Sequence, residues 1–184
     1  QHYITCQTEH KAVLDSMAEI QQKGAEVTYL PVNSDGKLDL NLLEQSIQPH
    51  TKMLCLMWAN NETGVIPPIQ EIAQLADRHG NIFFTDAVQA GGKIPVHTQG
   101  IHLMSLSAHK LYGPTGIGAL YIRHNHPLPK PMAQIYGGGH EKGFRSGTLN
   151  VPAIVGFGKA AQLRVHEMEE EGGRLKILRD QLET

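Results

Sequence analysis

Ser105-Leu106-Ser107-Ala108-His109-Lys110-Leu111-Tyr112-Gly113-Pro114 is the stretch around which the chain is organised. The apolar residues Leu103, Met104 and Leu106 read as the end of a buried strand. The run stops at small polar residues, and a single lysine follows. Gly113, Pro114, Gly116 and Gly118 then make a turn-rich passage before a second strand-like run, Ala119-Leu120-Tyr121-Ile122. A lysine at a strand end, ahead of a glycine-rich turn, suits imine formation with an aldehyde cofactor. Its amine must then sit in a partly apolar site where it can lose its proton. The alternative is a surface lysine in a loop.

Upstream, Phe83-Phe84-Thr85-Asp86-Ala87 reads as a short apolar strand ending in an aspartate. Asp86 precedes Lys110 by 24 residues, room for a crossover and one further strand. An aldehyde cofactor built on a pyridine needs both groups: a lysine for the imine, and a carboxylate that keeps the ring nitrogen protonated so that it accepts electrons. Taken singly, Asp86 reads equally as an N-cap or a loop acid. The pairing is more specific than either residue.

The rest of the chain alternates between the two periodicities. His2-Tyr3-Ile4-Thr5-Cys6 and Glu26-Val27-Thr28-Tyr29-Leu30 read as strands. Between them, residues 9–23 read as a helix with Val13, Met17 and Ile20 on one face, Thr8 as its N-cap and Gly24 as its stop. Asp39 caps a short helix bearing Leu40, Leu43 and Ile47. Met53-Leu54-Cys55-Leu56-Met57-Trp58 is continuously apolar, as in a strand buried on both faces, and ends at Asn60-Asn61-Glu62-Thr63-Gly64. Pro67-Pro68 opens a helix that runs to Gly80. A strand precedes Lys110, and residues 118–123 double back beside it. Residues 150–166 read as a helix, which Gly172-Gly173 weakens before Leu175, Leu178 and Leu182 resume the pattern. Strand and helix alternate at spacings that suit βαβ units, so the fold class is α/β with a mostly parallel sheet flanked by helices.

Taken in order, five motifs resemble one family: His10 within Thr8-Glu9-His10-Lys11-Ala12-Val13-Leu14; Asn60-Asn61-Glu62-Thr63-Gly64; Asp86-Ala87-Val88-Gln89; Ser107 to Pro114 with Lys110; and Gly137-Gly138-Gly139-His140-Glu141 with Arg145-Ser146-Gly147-Thr148. Together they resemble the pyridoxal-phosphate-dependent cysteine desulfurases of the NifS/IscS kind, in the class V aminotransferase superfamily. The resemblance covers nearly the whole chain. It implies the large domain of a fold-type I pyridoxal 5'-phosphate enzyme, with residues 1–184 as a single domain and the central part of that large domain. The strand after Lys110 is expected to run antiparallel. It implies Lys110 and His10 as catalytic residues, with His10 stacked on the pyridoxal ring. Asn61, Asp86, Gln89, Ser107, His109 and Thr148 join Lys110 and His10 as cofactor contacts. Gln89 bonds the phenolic oxygen, Ser107 and His109 the phosphate, and Thr148 the phosphate of the partner subunit in a homodimer.

The implied activity is removal of sulfur from L-cysteine to give L-alanine and an enzyme persulfide, passed to a sulfur-acceptor protein for iron–sulfur cluster or thiolation pathways. Selenocysteine lyase shares the motifs. A non-catalytic partner-binding or dimerisation module is a reading of a different class. Two family elements are absent here: a cofactor-phosphate loop upstream, and the later cysteine-bearing loop with the C-terminal small domain. Neither Cys6 nor Cys55 matches the catalytic cysteine. The 184 residues alone are therefore expected to be a truncated, inactive piece.

Composition narrows the remaining classes. The chain is large enough for one domain with a core, and its mean hydropathy is −0.28. Net charge is −2, which argues against nucleic acid or a membrane surface as partner. No apolar run approaches the roughly 20 residues of a membrane helix, and the expected location is cytoplasmic. Cys6 and Cys55 lie in apolar runs and read as buried free thiols. His124 and His126 have no third ligand at metal-site spacing, so no metal is expected. No Gly-Lys-Ser/Thr follows the glycine run at 137–139, so it is not a Walker-type phosphate loop.

Overall fold

A computed structural model describes residues 1–124 and 131–183. His126 lies outside the described residues. Six strands form one sheet in the order β2-β1-β3-β4-β5-β6. They are β1 His2–Cys6, β2 Glu26–Leu30, β3 Thr51–Cys55, β4 Ile82–Asp86, β5 Leu103–Ser107 and β6 Gly118–Ile122. The pairings from β2 across to β5 are parallel, whereas β6 runs antiparallel to β5, as expected for the strand after Lys110. Helices α1 Lys11–Gln22, α2 Leu40–Gln45 and α3 Ile69–Arg78 form the crossovers, and α4 Val151–Leu182 follows the strands.

The two faces of the sheet are covered unequally. Strand side chains alternate, so Ile4, Leu54, Leu56, Phe83 and Met104 point to the face of α2 and α3. There they bury Leu43, Ile69, Ile72, Leu75 and Ile101 in the main core. The opposite residues Tyr3, Met53, Cys55 and Phe84 face α1, whose Val13 and Met17 form a smaller cluster with them. The same alternation puts Asp86 on the α1 face, two residues beyond Phe84.

One local expectation is corrected. Helix α1 starts at Lys11, and its N-cap is His10, whose ring Nδ1 accepts the Ala12 N–H at 3.2 Å. Thr8 lies two residues ahead of the cap, and its hydroxyl pairs with Cys6 Sγ at 3.2 Å. The stop at Gly24 is as expected, with φ 93° and its N–H bonded to the Gln21 carbonyl. Helix α4 runs unbroken through 32 residues, so the pattern that resumes after Gly172-Gly173 belongs to the same helix. Two helical glycines cost about 1 kcal/mol each. Ion pairs from Glu171 to Arg164 and to Arg174 hold the helix on either side of them.

Candidate active site

In an open parallel sheet, ligands bind beyond the carboxyl ends of the strands, at the point where the strand order reverses. The chain leaves β1 for β2 on one side and returns to β3 on the other. The reversal therefore lies between β1 and β3. Four adjacent strands deliver their following residues to this edge: β1 leads to His10, β3 to Asn60 and Asn61, β4 ends at Asp86, and β5 leads to Lys110.

Asp86 is half-buried. Its Oδ1 accepts the Val88 N–H at 3.0 Å and the hydroxyl of Ser105 at 3.3 Å. Ser105 is its register partner on β5, so the sheet itself aims the carboxylate. Lys110 is half-buried in the 3₁₀ turn Ala108–Leu111 that follows β5 directly. His109 is exposed, and its Nδ1 pairs with the Ser107 hydroxyl at 2.8 Å. Gln89 is half-buried, and its Oε1 accepts from Lys93 Nζ at 2.9 Å. That contact leaves the amide NH₂ as the end offered to an acceptor. Burial, then the charge of Lys110, lower the proton affinity of Lys93. His10 is exposed at the N-terminus of α1; a neutral ring that accepts at Nδ1 carries its proton on Nε2.

The loop bearing Lys110 is backed by α4. Arg164 is 5% exposed; its Nε donates to the Gly92 carbonyl at 2.9 Å, and its guanidinium lies 5.3 Å from the centroid of the Tyr112 ring. Tyr112 closes the 3₁₀ turn with φ 63° and donates its hydroxyl hydrogen to Glu171 at 3.4 Å. Gly92 has φ 70°, and a Cβ there would stand 2.4 Å from Leu111 Cδ2, so only glycine fits between the two segments.

Asn61 and Thr148 are not brought into bonded contact with this cluster among the described residues. Asn61 is exposed in the turn after β3. Thr148 is exposed in the loop before α4. The bonded amide is that of Asn60. Its Nδ2 donates to the Thr8 carbonyl at 2.9 Å, and its Oδ1 accepts the N–H groups of Glu62 and Thr63.

Sequence reasoning also missed Glu9. It is 5% exposed, and its Oε1 accepts the Met57 N–H at 2.7 Å. Burial is the main cause that pushes its carboxyl up to about 8; the Met57 N–H opposes this, and the nearby charge of Asp86 adds to it. An acid between a strand end and a helix cap was the available signal. Its polar neighbours Thr8 and His10 concealed the burial. Cys6 and Cys55 are buried free thiols as expected, and burial pushes the Cys55 thiol up, with Glu9 adding to the effect.

An open α/β sheet with a lysine, a sheet-aimed carboxylate and a helix-capping histidine on one edge defines a class of fold-type I enzymes. A family model, aminotransferase class-V, matches residues 1–182, and the chain belongs to that family. Among curated relatives, the cysteine desulfurase IscS of Anaeromyxobacter sp. (strain Fw109-5) is 52% identical over 98% of this chain and 45% of its own length. The mitochondrial cysteine desulfurase of Arabidopsis thaliana is 49% identical over 98% of this chain and 40% of its own. Among solved structures, a NifS-like protein matches with TM-score 0.94 at 39% identity, over 99% of this chain and 50% of that one. SspA in complex with cysteine matches with TM-score 0.82 at 40% identity, over 88% and 47%. The chain thus spans less than half the length of these curated relatives. Among the described residues no helix is long and apolar enough to cross a membrane, and no cluster of ligands is set for a metal ion.

Proposed function

We propose that the full-length protein is a pyridoxal 5'-phosphate-dependent cysteine desulfurase, and that this chain is the central part of its large domain. One observation carries the reading: His10, Asp86, Gln89 and Lys110 stand together at one sheet edge, in a chain about half identical to proteins named cysteine desulfurase. The donor set suits the cofactor. Lys110 is the amine for its aldehyde, Asp86 the carboxylate for its ring nitrogen, and the Gln89 amide, held by Lys93, the donor for its phenolic oxygen. Asn61, Ser107 and His109 complete the contacts of one subunit, and Thr148 reaches the phosphate in the partner of a homodimer. When bound, the cofactor supplies an electron sink.

The side chains do the rest. Asp86, aimed by the Val88 N–H and the Ser105 hydroxyl, would pair with the ring nitrogen and keep it protonated. Lys110 would be the amine that holds the aldehyde, and its Nζ would move a proton whenever it is free. His10, whose Nδ1 is engaged by the Ala12 N–H, would use its Nε2 edge to orient the ring and move protons. Sulfur leaves to an enzyme thiolate, giving L-alanine and a persulfide for a sulfur-acceptor protein. Neither thiol of this chain suits that step, since both are buried and the thiolate is the nucleophile. The 184 residues alone are inactive on this reading. The cytoplasm is the proposed location.

The test is made on the full-length protein. Added pyridoxal 5'-phosphate should give a visible absorption band, and borohydride should trap it on Lys110. The Lys110→Ala variant should lose both the adduct and alanine release from cysteine. An adduct on another lysine overturns the assignment. Turnover confined to selenocysteine makes the protein a selenocysteine lyase, and no adduct with retained dimerisation makes it a non-catalytic module.

A further inference from the structure

Resting on the cofactor reading above, we propose that Glu9 is a positioning residue. Its carboxyl fastens the turn at residues 8–10 to the end of β3 and so fixes the seat of His10 over the site. The geometry is a two-point clamp across the reversal of strand order. Glu9 takes the Met57 N–H at 2.7 Å, and one residue earlier the Thr8 carbonyl takes the Asn60 amide at 2.9 Å. Met57 is tied onward, because the next N–H, of Trp58, donates to the Asp86 carbonyl at 2.8 Å. The carboxyl therefore links the residue before His10 to the strand end that carries Asp86.

Glu9 Oε2 is buried without a hydrogen-bond partner, in a small cavity lined by Cys6, Leu38, Leu56 and Met57. The titratable groups around it are Asp86 from β4, Cys55 from β3 and Cys6 from β1, and His10 follows it in the chain. None of these is a lysine or arginine paired with the carboxyl, and no salt bridge to Glu9 occurs among the described residues. A proton on Oε2 removes the buried charge and leaves Oε1 as a neutral acceptor for Met57. Ionised, a carboxylate buried without a compensating charge is driven to swing out toward solvent, and that movement releases Met57.

The test uses the full-length protein with Glu9→Gln, which keeps the acceptor without the titration, and Glu9→Ala, which removes it. The affinity for pyridoxal 5'-phosphate is measured at pH 7 and pH 9. The His10 ring signal is followed by NMR across the same range in cofactor-free protein. Wild type should lose about tenfold more affinity from pH 7 to pH 9 than Glu9→Gln does, the size of one hydrogen bond. Glu9→Ala should bind weakly at both. Its His10 signal should also be displaced at pH 7, whereas that of Glu9→Gln stays as in wild type. Should Glu9→Ala fail to fold, the difference between wild type and Glu9→Gln decides. Equal pH dependence of those two proteins, in affinity and in the His10 signal, overturns the proposal. A His10 signal that follows Glu9 ionisation in wild type alone, with no cofactor bound by any form, upholds the clamp and overturns the desulfurase reading instead.

Discussion

The carboxyl ends of β1, β3 and β4 and the loop at residues 137–148 are built in opposite ways. At the strand ends, the side chains that would meet a cofactor are held by the sheet or by its neighbours. Asp86 is fixed by Ser105 from the adjacent strand, and the turn of His10 is clamped to β3 by Glu9 and Asn60. The loop holds mainly to itself: Arg145 Nη1 donates to the Gly147 carbonyl, and the Gly147 N–H to His140 Nδ1, both at 3.3 Å. Three glycines at 137–139 all have positive φ, and Tyr136 beside them is 80% exposed. A rigid edge suits chemistry that depends on fixed geometry. A loop exposed at Thr148 suits a group offered to another subunit.

Breaking the edge at Asp86 should have the largest effect. In the full-length protein, Asp86→Ala should cut kcat for alanine formation on the order of a hundredfold to a thousandfold, as loss of a preorganised electrostatic contact does. Its thermal unfolding should change little, because only a half-buried acceptor is removed. A loss of less than about tenfold would show that the strand-end carboxylate is not the electronic partner of Lys110.

The two neighbouring asparagines sharpen the contrast within one turn. Asn60→Ala removes bonds to Thr8, Glu62 and Thr63, and should destabilise the protein by about 1–3 kcal/mol in denaturant titration. Asn61→Ala, on an exposed side chain, should lie within about 0.5 kcal/mol of wild type. Any effect of Asn61→Ala should appear in cofactor affinity instead. The reverse pattern would mean that the turn is held differently.

The pH dependence of stability isolates the clamp. Glu9 has its proton affinity raised in the fold, to about 8 from 4.5, so between those values the folded protein holds a proton that the unfolded chain releases. Stability therefore falls as pH rises through that window and levels off above about 8. His2 is shifted the other way by burial, which adds stability as pH rises toward 6.5 and masks the Glu9 slope below that value. Above 6.5 the Glu9 slope stands clear. Wild type should lose about 2 kcal/mol between pH 6.5 and 8, and Glu9→Gln should lose none of it. A flat wild-type profile would show that the carboxyl is ionised throughout.

Much of this edge was legible because the chemistry coincides with breaks in periodicity. Asp86 and Lys110 each end an apolar run, and the glycines after Lys110 mark the turn that leads to the antiparallel strand. What stayed hidden depends on pairs distant in sequence. Thr8 is a favoured capping residue, yet Cys6 and Asn60 engage it and His10 caps instead. Adjacent asparagines look alike until the fold orients one inward. Gly172-Gly173 reads as a weak point, but nothing in the sequence shows that Glu171 beside it reaches Arg164, or that Arg164 reaches Gly92 across the molecule.

Thr148 tests the other half of the comparison, with the smallest effect on the fold. Thr148→Ala should leave stability within about 0.5 kcal/mol, because an exposed loop hydroxyl is removed. Cofactor affinity should fall about tenfold or more if the hydroxyl bonds a phosphate, since charge-assisted bonds contribute about 1.5–3 kcal/mol. Mixing separates the two possible donors. In a heterodimer of Lys110→Ala and Thr148→Ala subunits, a Thr148 that serves its partner leaves one intact site. That site has its lysine from the second subunit and its threonine from the first, and activity returns on mixing. A Thr148 that serves its own subunit leaves one site without lysine and one without threonine, and mixing restores nothing. Restoration would give the exposed loop a function that its own contacts cannot supply, because only the neighbouring subunit would complete it.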